Sequence, residues 1–299
     1  MSNVSVGGQA VIEGVMMQSK DKRAVAVRKS NGKIVLKKNN IKSWINEKKL
    51  DKIPFLRGGF ILIETMIEGI KSLNFSSEFF TEDMEEDAFD RFVKKIFKDK
   101  ANDAMIWISL LLSLLISVGI FMVIPTTVGG IFSKIIDNKL ILNLIEGIIR
   151  ISILFAYLVI ISKNSDIKRV FEYHGAEHKS IHCYESGLEL TVENARKFTT
   201  LHPRCGTNFL FIVMATSIIL FSFFGWPNPL IRIAMRILFI PIVSGISYEI
   251  IKFLGKYDNK LTKIVAYPGM MLQKITTKEP DDQQLEVALT ALKAVINEK

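Results

Sequence analysis

The chain has 299 residues, 49% of them apolar and 23% charged, with 39 Lys+Arg against 30 Asp+Glu, a net charge of +9 and a mean hydropathy of +0.27. That balance excludes a disordered chain and a purely soluble one, and two cysteines exclude a disulfide-stapled secreted scaffold, free thiols suiting a reducing compartment. A basic excess suits nucleic acid or an anionic membrane face, and the placement of the charges decides between them.

Residues 1–52 read as a β-rich segment. Met1 to Ala10 has neither a charged start nor an apolar run, so no signal peptide is expected. VSVGGQAVIEGVMMQ predicts a strand in which Gly7 and Gly8 allow a bulge or a close backbone approach. AVAVRKSNGKIVLKK (Ala24 to Lys38) predicts a hairpin with a type I′ turn at Asn31-Gly32. Residues 53–103 read as interfacial. Ile53 to Leu73 is apolar but interrupted by Gly58, Gly59, Glu64 and Glu68. An acidic stretch, Glu78 to Asp90, predicts a solvated loop. Phe89, Phe92, Val93, Ile96 and Phe97 then recur at helical spacing among Lys94, Lys95 and Lys98, as in a helix on the inner leaflet.

Four apolar blocks follow: Ala104 to Ile124, Leu140 to Ser162, Thr207 to Trp226 and Leu230 to Ile251. Each is long enough to cross a hydrocarbon core of ~30 Å at ~1.5 Å per residue. The expected fold is therefore a mainly α, polytopic membrane protein with four transmembrane helices, paired within 104–162 and 207–251, and a small N-terminal cytoplasmic sheet. Lys and Arg number 19 in residues 1–103, 7 in 163–206 and 8 in 252–299, against 2 in the intervening loops 125–139 and 227–229. This asymmetry predicts cytoplasmic termini and a cytoplasmic 163–206 loop in a multi-pass protein of the cytoplasmic membrane. The lipid bilayer thus accounts for the basic charge, and no nucleic-acid partner is expected. Residues 252–299 form a cytoplasmic C-terminal segment, with a helix starting at Pro280-Asp281-Asp282 and a stripe of Leu285, Ala288, Leu289, Leu292 and Ile296.

All four histidines, His174, His178, His182 and His202, fall within 29 residues, and both cysteines, Cys183 and Cys205, fall in the same segment. Imidazole and thiolate are the ligands of zinc and similar ions, so the expected cofactor is a divalent metal, zinc by default. On a helix His174, His178 and His182 share one face with Glu177 and Glu185 near it, while Cys183 points away. His174-Gly175-Ala176-Glu177-His178 matches H-x-x-E-H, in which two histidines hold the metal and the glutamate is the base. His202, Cys205 or Glu249 would complete such a site. Cys205, before a helix that begins at Gly206, suits a ligand or a nucleophile. The alternatives are a closed structural site of His182, Cys183, His202 and Cys205, or histidines that only hydrogen-bond. The membrane charges Glu146, Arg150, Arg232 and Arg236 are expected to pair with one another.

GGQAVIEGVMM, AVAVRKSNGKIV, YHGAEHKSIHCYE with LTVENARKF and LHPRCGTNFLF, GISYEIIK and PGMMLQKITTKEPDDQQLEVALTAL together resemble the YqhQ family of bacterial membrane proteins, from about residue 5 to residue 293. The resemblance implies a multi-span membrane protein with a metal-dependent activity. An open site would suit a hydrolase acting on an unidentified membrane-proximal substrate at the membrane–cytosol boundary. A closed one would suit a non-enzymatic scaffold or transporter subunit with a protein partner.

Overall fold

The computed structural model describes residues 5–41, 43, 45, 48, 50–55, 57–80, 101–257 and 259–296. The predicted helix over 89–98, and all but the first residues of the acidic stretch before it, lie outside them. The chain divides into two units, one of Met1–Phe80, Ala156–Ser217 and Phe239–Lys299, the other of Thr81–Phe155 and Ile218–Leu238.

The first unit opens on a four-stranded antiparallel meander: β1 (Gly7–Val11), β2 (Gly14–Gln18), β3 (Lys22–Arg28) and β4 (Ile34–Asn40), in the order β1-β2-β3-β4. Two strands thus stand where the sequence predicts one before the hairpin. Glu13 adopts φ 49° in the two-residue turn that closes the Val11–Gly14 pair. The β3–β4 turn is also wider than type I′. That turn needs positive φ at both central residues, and here Gly32 alone has it (80°). Gly32 N–H donates to Lys29 O (2.8 Å) and Lys29 N–H to Lys33 O (3.0 Å), a three-residue loop with glycine in the left-handed position.

Both faces of the sheet are covered, which is why β3 is buried at four consecutive positions. Ala24 and Ala26 face a core built with helix α10 (Asp282–Ile296) and helix α5 (Ser165–Glu185). Val25 and Val27 face Phe75, Phe79 and Phe80, at and beyond the end of helix α1 (Arg57–Ser77). The predicted terminal helix is present. Asp281 Oδ1 accepts the Gln284 N–H (2.8 Å) at its start, and Leu285, Ala288, Leu289 and Leu292 are buried.

Gly58 and Gly59 do not break α1. They stand in its first turn, where a Cβ on Gly58 would come within 2.5 Å of Tyr248 Cβ. Reciprocally, a Cβ on Gly245 would lie 1.3 Å from Phe55 O. The glycines let α1 and helix α8 (Pro229–Lys256) approach backbone to backbone.

In chain order α1 is followed by α2 (Ala101–Val118), a π-turn over Gly119–Val123, α3 (Ile124–Phe132) and α4 (Lys139–Ile161), then α5, a short α6 (Val192–Arg196), α7 (Gly206–Ser222), α8, α9 (Lys260–Thr276) and α10. The first apolar block runs on to Phe132 instead of ending at Ile124. Among the described residues three helices are long and apolar enough to cross a membrane, Trp107–Phe132, Lys139–Ile161 and Pro229–Lys256; Gly206–Ser222 is apolar but shorter.

Candidate metal centre

The segment read as a loop is mostly helix. Asn164 caps α5, its Oδ1 accepting from Asp166 N (2.9 Å) and Ile167 N (3.2 Å), and the helix then runs 21 residues to Glu185. Gly175, which weakens a helical reading of the sequence, is required by packing: a Cβ there would meet Lys278 O at 2.0 Å. The helix therefore carries His174, Glu177, His178 and His182 along one face, as the spacing predicts. His202, Cys205 and the start of α7 come up against that face.

The histidines sort into two groups. His174, His178 and Cys205 offer ligand atoms all within 4.8 Å of one another, and so do His182, Glu185 and His202. Either group could hold a metal ion, and their hydrogen bonds tell them apart. In the first, His174 Nδ1–H donates to Thr276 O (2.8 Å) and His178 Nδ1–H to Thr200 O (2.5 Å). Backbone carbonyls accept only, so both Nδ1 atoms carry the proton and both Nε2 atoms present bare lone pairs. His174 Nε2 lies 3.2 Å from Cys205 Sγ. His178 Nε2 is buried without a hydrogen-bond partner. Burial pushes the His178 imidazole below its ordinary range, toward the neutral ligating form, against the pull of the nearby Cys205. The sulfur receives the Thr207 N–H (3.4 Å) at the start of α7. Ligands about 2.0–2.3 Å from an ion stand about 3.3–3.8 Å apart in a tetrahedron; the His174 Nε2–Cys205 Sγ separation is 3.2 Å and all three atoms lie within 4.8 Å of one another, so this donor set could hold a metal ion.

The second group is internally satisfied. His202 Nδ1 accepts the Arg204 N–H (3.2 Å), its Nε2 meets Glu185 Oε2 (3.4 Å), and Gln273 clamps its backbone on both sides (2.8 Å each). His182 Nε2–H donates to Leu201 O (2.9 Å). Burial pushes the Glu185 carboxyl up, but His202 and Arg204 outweigh it and hold the group below its ordinary range.

Glu177 Oε2 is 3.6 Å from His178 Nε2 and 3.8 Å from His174 Nε2. Its side chain is almost wholly buried. Burial raises its carboxyl above the ordinary range, while His174, His202 and the Gly8 N–H pull it down. The close approach foreseen at Gly7-Gly8 is made here, since a Cβ on Gly8 would stand 2.7 Å from Glu177 Cγ. A cleft of about 570 Å³ opens beside these groups, with Gly8, His174, Glu177, His178, Arg204 and Cys205 in its wall.

Two of the sequence's candidates stand elsewhere. Glu249 is held by Arg57 Nε and Nη2 (2.6 and 2.5 Å) near the end of α8. Cys183 is wholly buried in the α5–α10 core, and burial pushes its thiol up. The four-ligand set of His182, Cys183, His202 and Cys205 is therefore not assembled. The sequence reading missed Thr200, Thr276 and Gln273, which act through backbone contacts or clamps that no spacing rule reports.

A family model described as protein of unknown function (DUF1385) matches residues 53–298. The chain belongs to this family. It is similar to the Uncharacterized protein YqhQ of Bacillus subtilis (strain 168), 36% identical over 299 residues that cover 97% of this chain and 92% of that protein. No solved structure matches. The family match takes in every residue of the two histidine groups.

Proposed function

We propose that this family member is an integral protein of the cytoplasmic membrane that holds one divalent metal, zinc by default, at His174 Nε2, His178 Nε2 and Cys205 Sγ, and that it is a hydrolase acting on a substrate at the membrane–cytosol boundary. The observation that carries the reading is the pair of Nδ1–H···O=C bonds, which aims two bare Nε2 atoms at one sulfur beside an open cleft. A carboxylate or carbonyl behind a ligating histidine is the usual orienting partner in metal sites. An ion so held supplies Lewis-acid polarisation of an oxygen in the cleft.

The chain's own residues supply the rest. Three protein ligands would be the ligand count of catalytic rather than structural zinc, leaving room for an oxygen of water or substrate. Glu177, its carboxyl raised by burial, accepts a proton from water in the cleft and returns it to the leaving group. Gly8 N–H holds that carboxylate in place. The membrane setting is supported by the three long apolar helices and by the Lys/Arg asymmetry, 34 against 2.

Metal content of protein purified without a polyhistidine tag tests the site. Wild type should carry about one equivalent. His178→Ala and Cys205→Ser should lose it, whereas Cys183→Ser, His182→Ala and Glu177→Gln should keep it. A metal-free wild type, or a His178→Ala variant that retains its metal, would end this reading. Loss of metal from Glu177→Gln would make Glu177 a fourth ligand and favour the closed, structural site of a scaffold.

A further inference from the structure

The second unit contains a polar cluster that the metal centre does not use. Glu146 of α4 is completely buried. Arg236 and Arg150 reach its Oε1, Arg150 at 3.4 Å, and Arg232 Nη1 reaches its Oε2 (3.1 Å). Thr126 Oγ1–H donates to Glu146 (2.8 Å) and accepts from Arg236 Nη1 (2.7 Å). Among the described residues this one carboxylate faces three guanidiniums, an excess of two positive charges on helices whose other side chains are overwhelmingly apolar. Arg232 and Arg236 are 5% and 7% exposed, and the Nε–H of each is buried without a partner. An uncompensated buried charge, or a buried donor left unsatisfied, costs more than a paired one gains, so the arrangement calls for one more acceptor and a negative one.

Space for it exists. Arg232 and Arg236, one turn apart on α8, share with Asn143, Phe221 and Gly225 a small cavity that holds about one water-sized particle. The Trp226 ring lies 3.7 Å from the Arg232 guanidinium and screens it on that side. The cavity has no room for a phosphate group. We propose that this cluster binds a single small inorganic anion of about the size of chloride, accepting from the Nε–H of Arg232 and Arg236.

The full-length protein, purified in detergent without halide, is melted in sodium chloride and in sodium gluconate at equal ionic strength. Chloride should raise Tm saturably, on the order of 2–4 °C, with bromide acting alike and gluconate giving no rise. Arg236→Gln should abolish the chloride-specific rise. Equal melting of wild type in chloride and gluconate overturns the proposal, as does a chloride-specific rise that survives in Arg236→Gln. Stabilisation by inorganic phosphate but not by chloride overturns the assignment by size. Should Arg236→Gln fail to fold, broadening of the chloride NMR line by wild type, reversed by bromide, reads the same site directly, and its absence overturns it.

Discussion

The two cysteines stand 22 positions apart in environments of opposite kind. Cys183 is fully buried beside Ile181 and Ala195, with Glu189 O 3.5 Å from its sulfur. Cys205 lies at the wall of the cleft against His174. If the proposed metal sits on Cys205, a thiol reagent added to the metal-loaded protein should modify neither. After chelation it should modify one, and in denaturant two; two reactive thiols before unfolding would contradict the burial of Cys183. Part of this division was legible beforehand. At ~100° per residue, a helix that turns His174 and His178 to the site turns Cys183 off it. What the spacing left open was which further group completes the set. Cys205, His202 and Glu249 are equally plausible ligands by type, and only the fold pairs Glu249 with Arg57 and ties up His202 with Arg204 and Glu185.

At the scale of the element, α5 carries the site because it continues unbroken through Gly175. Ala is normally better than Gly in a helix interior by about 1 kcal/mol, so Gly175→Ala would stabilise an exposed helix. Here the added methyl would sit 2.0 Å from the Lys278 carbonyl oxygen, in backbone that cannot swing aside as a side chain would. Overpacking costs about 1–3 kcal/mol, and so close a contact belongs at the upper end. We expect a net loss of about 2 kcal/mol, read as a lowered Tm, with His174 displaced because its Nδ1 is bonded to Thr276, two residues before Lys278. An unchanged Tm would contradict this packing. The clash is invisible in the sequence, since its two partners are 103 positions apart. The same limit explains Gly58 and Gly59, which read as interruptions and serve, with Gly245, as contact points. Elements marked by local signals, the β3–β4 hairpin with its alternation and α10 with its Asp281 cap, were legible without the fold.

On the scale of the whole molecule, connectivity and core packing together bear on the number of membrane crossings. Val15, Met17, Ala24 and Ala26 of the sheet, Tyr173 and Ile181 of α5, and Leu285, Ala288 and Leu292 of α10 share one core. In the membrane protein proposed above, residues of one core lie on one side of the bilayer, which would have the chain cross an even number of times between the sheet and α5, and again between α5 and α10. On that proposal Trp107–Phe132 and Lys139–Ile161 would supply two crossings in the first interval, with α1 packed on the sheet side. Its contacts agree: Ser76 Oγ accepts from Ile12 N (3.2 Å), and Glu68 pairs with Arg23. The second interval holds α8 and the 17-residue α7, which at ~1.5 Å per residue is about 26 Å long against a ~30 Å core. In the membrane protein proposed above, parity would have α7, the more apolar of the two 17-residue helices in this interval, cross with α8, its reach extended by Phe223, Phe224 and Trp226 and by modest thinning of the bilayer. On that proposal the turn at Asn228 would be the outer-face turn of a hairpin. A cysteine at Asn228, introduced with Cys183→Ser and Cys205→Ser, should react in intact cells with a membrane-impermeant maleimide. A cysteine at Asn31, in the β3–β4 turn, should react only after lysis. Protection of the Asn228 cysteine with labelling of the Asn31 one would invert the orientation drawn from the basic residues, and protection of both would mean that α7 and α8 do not reach the outer face.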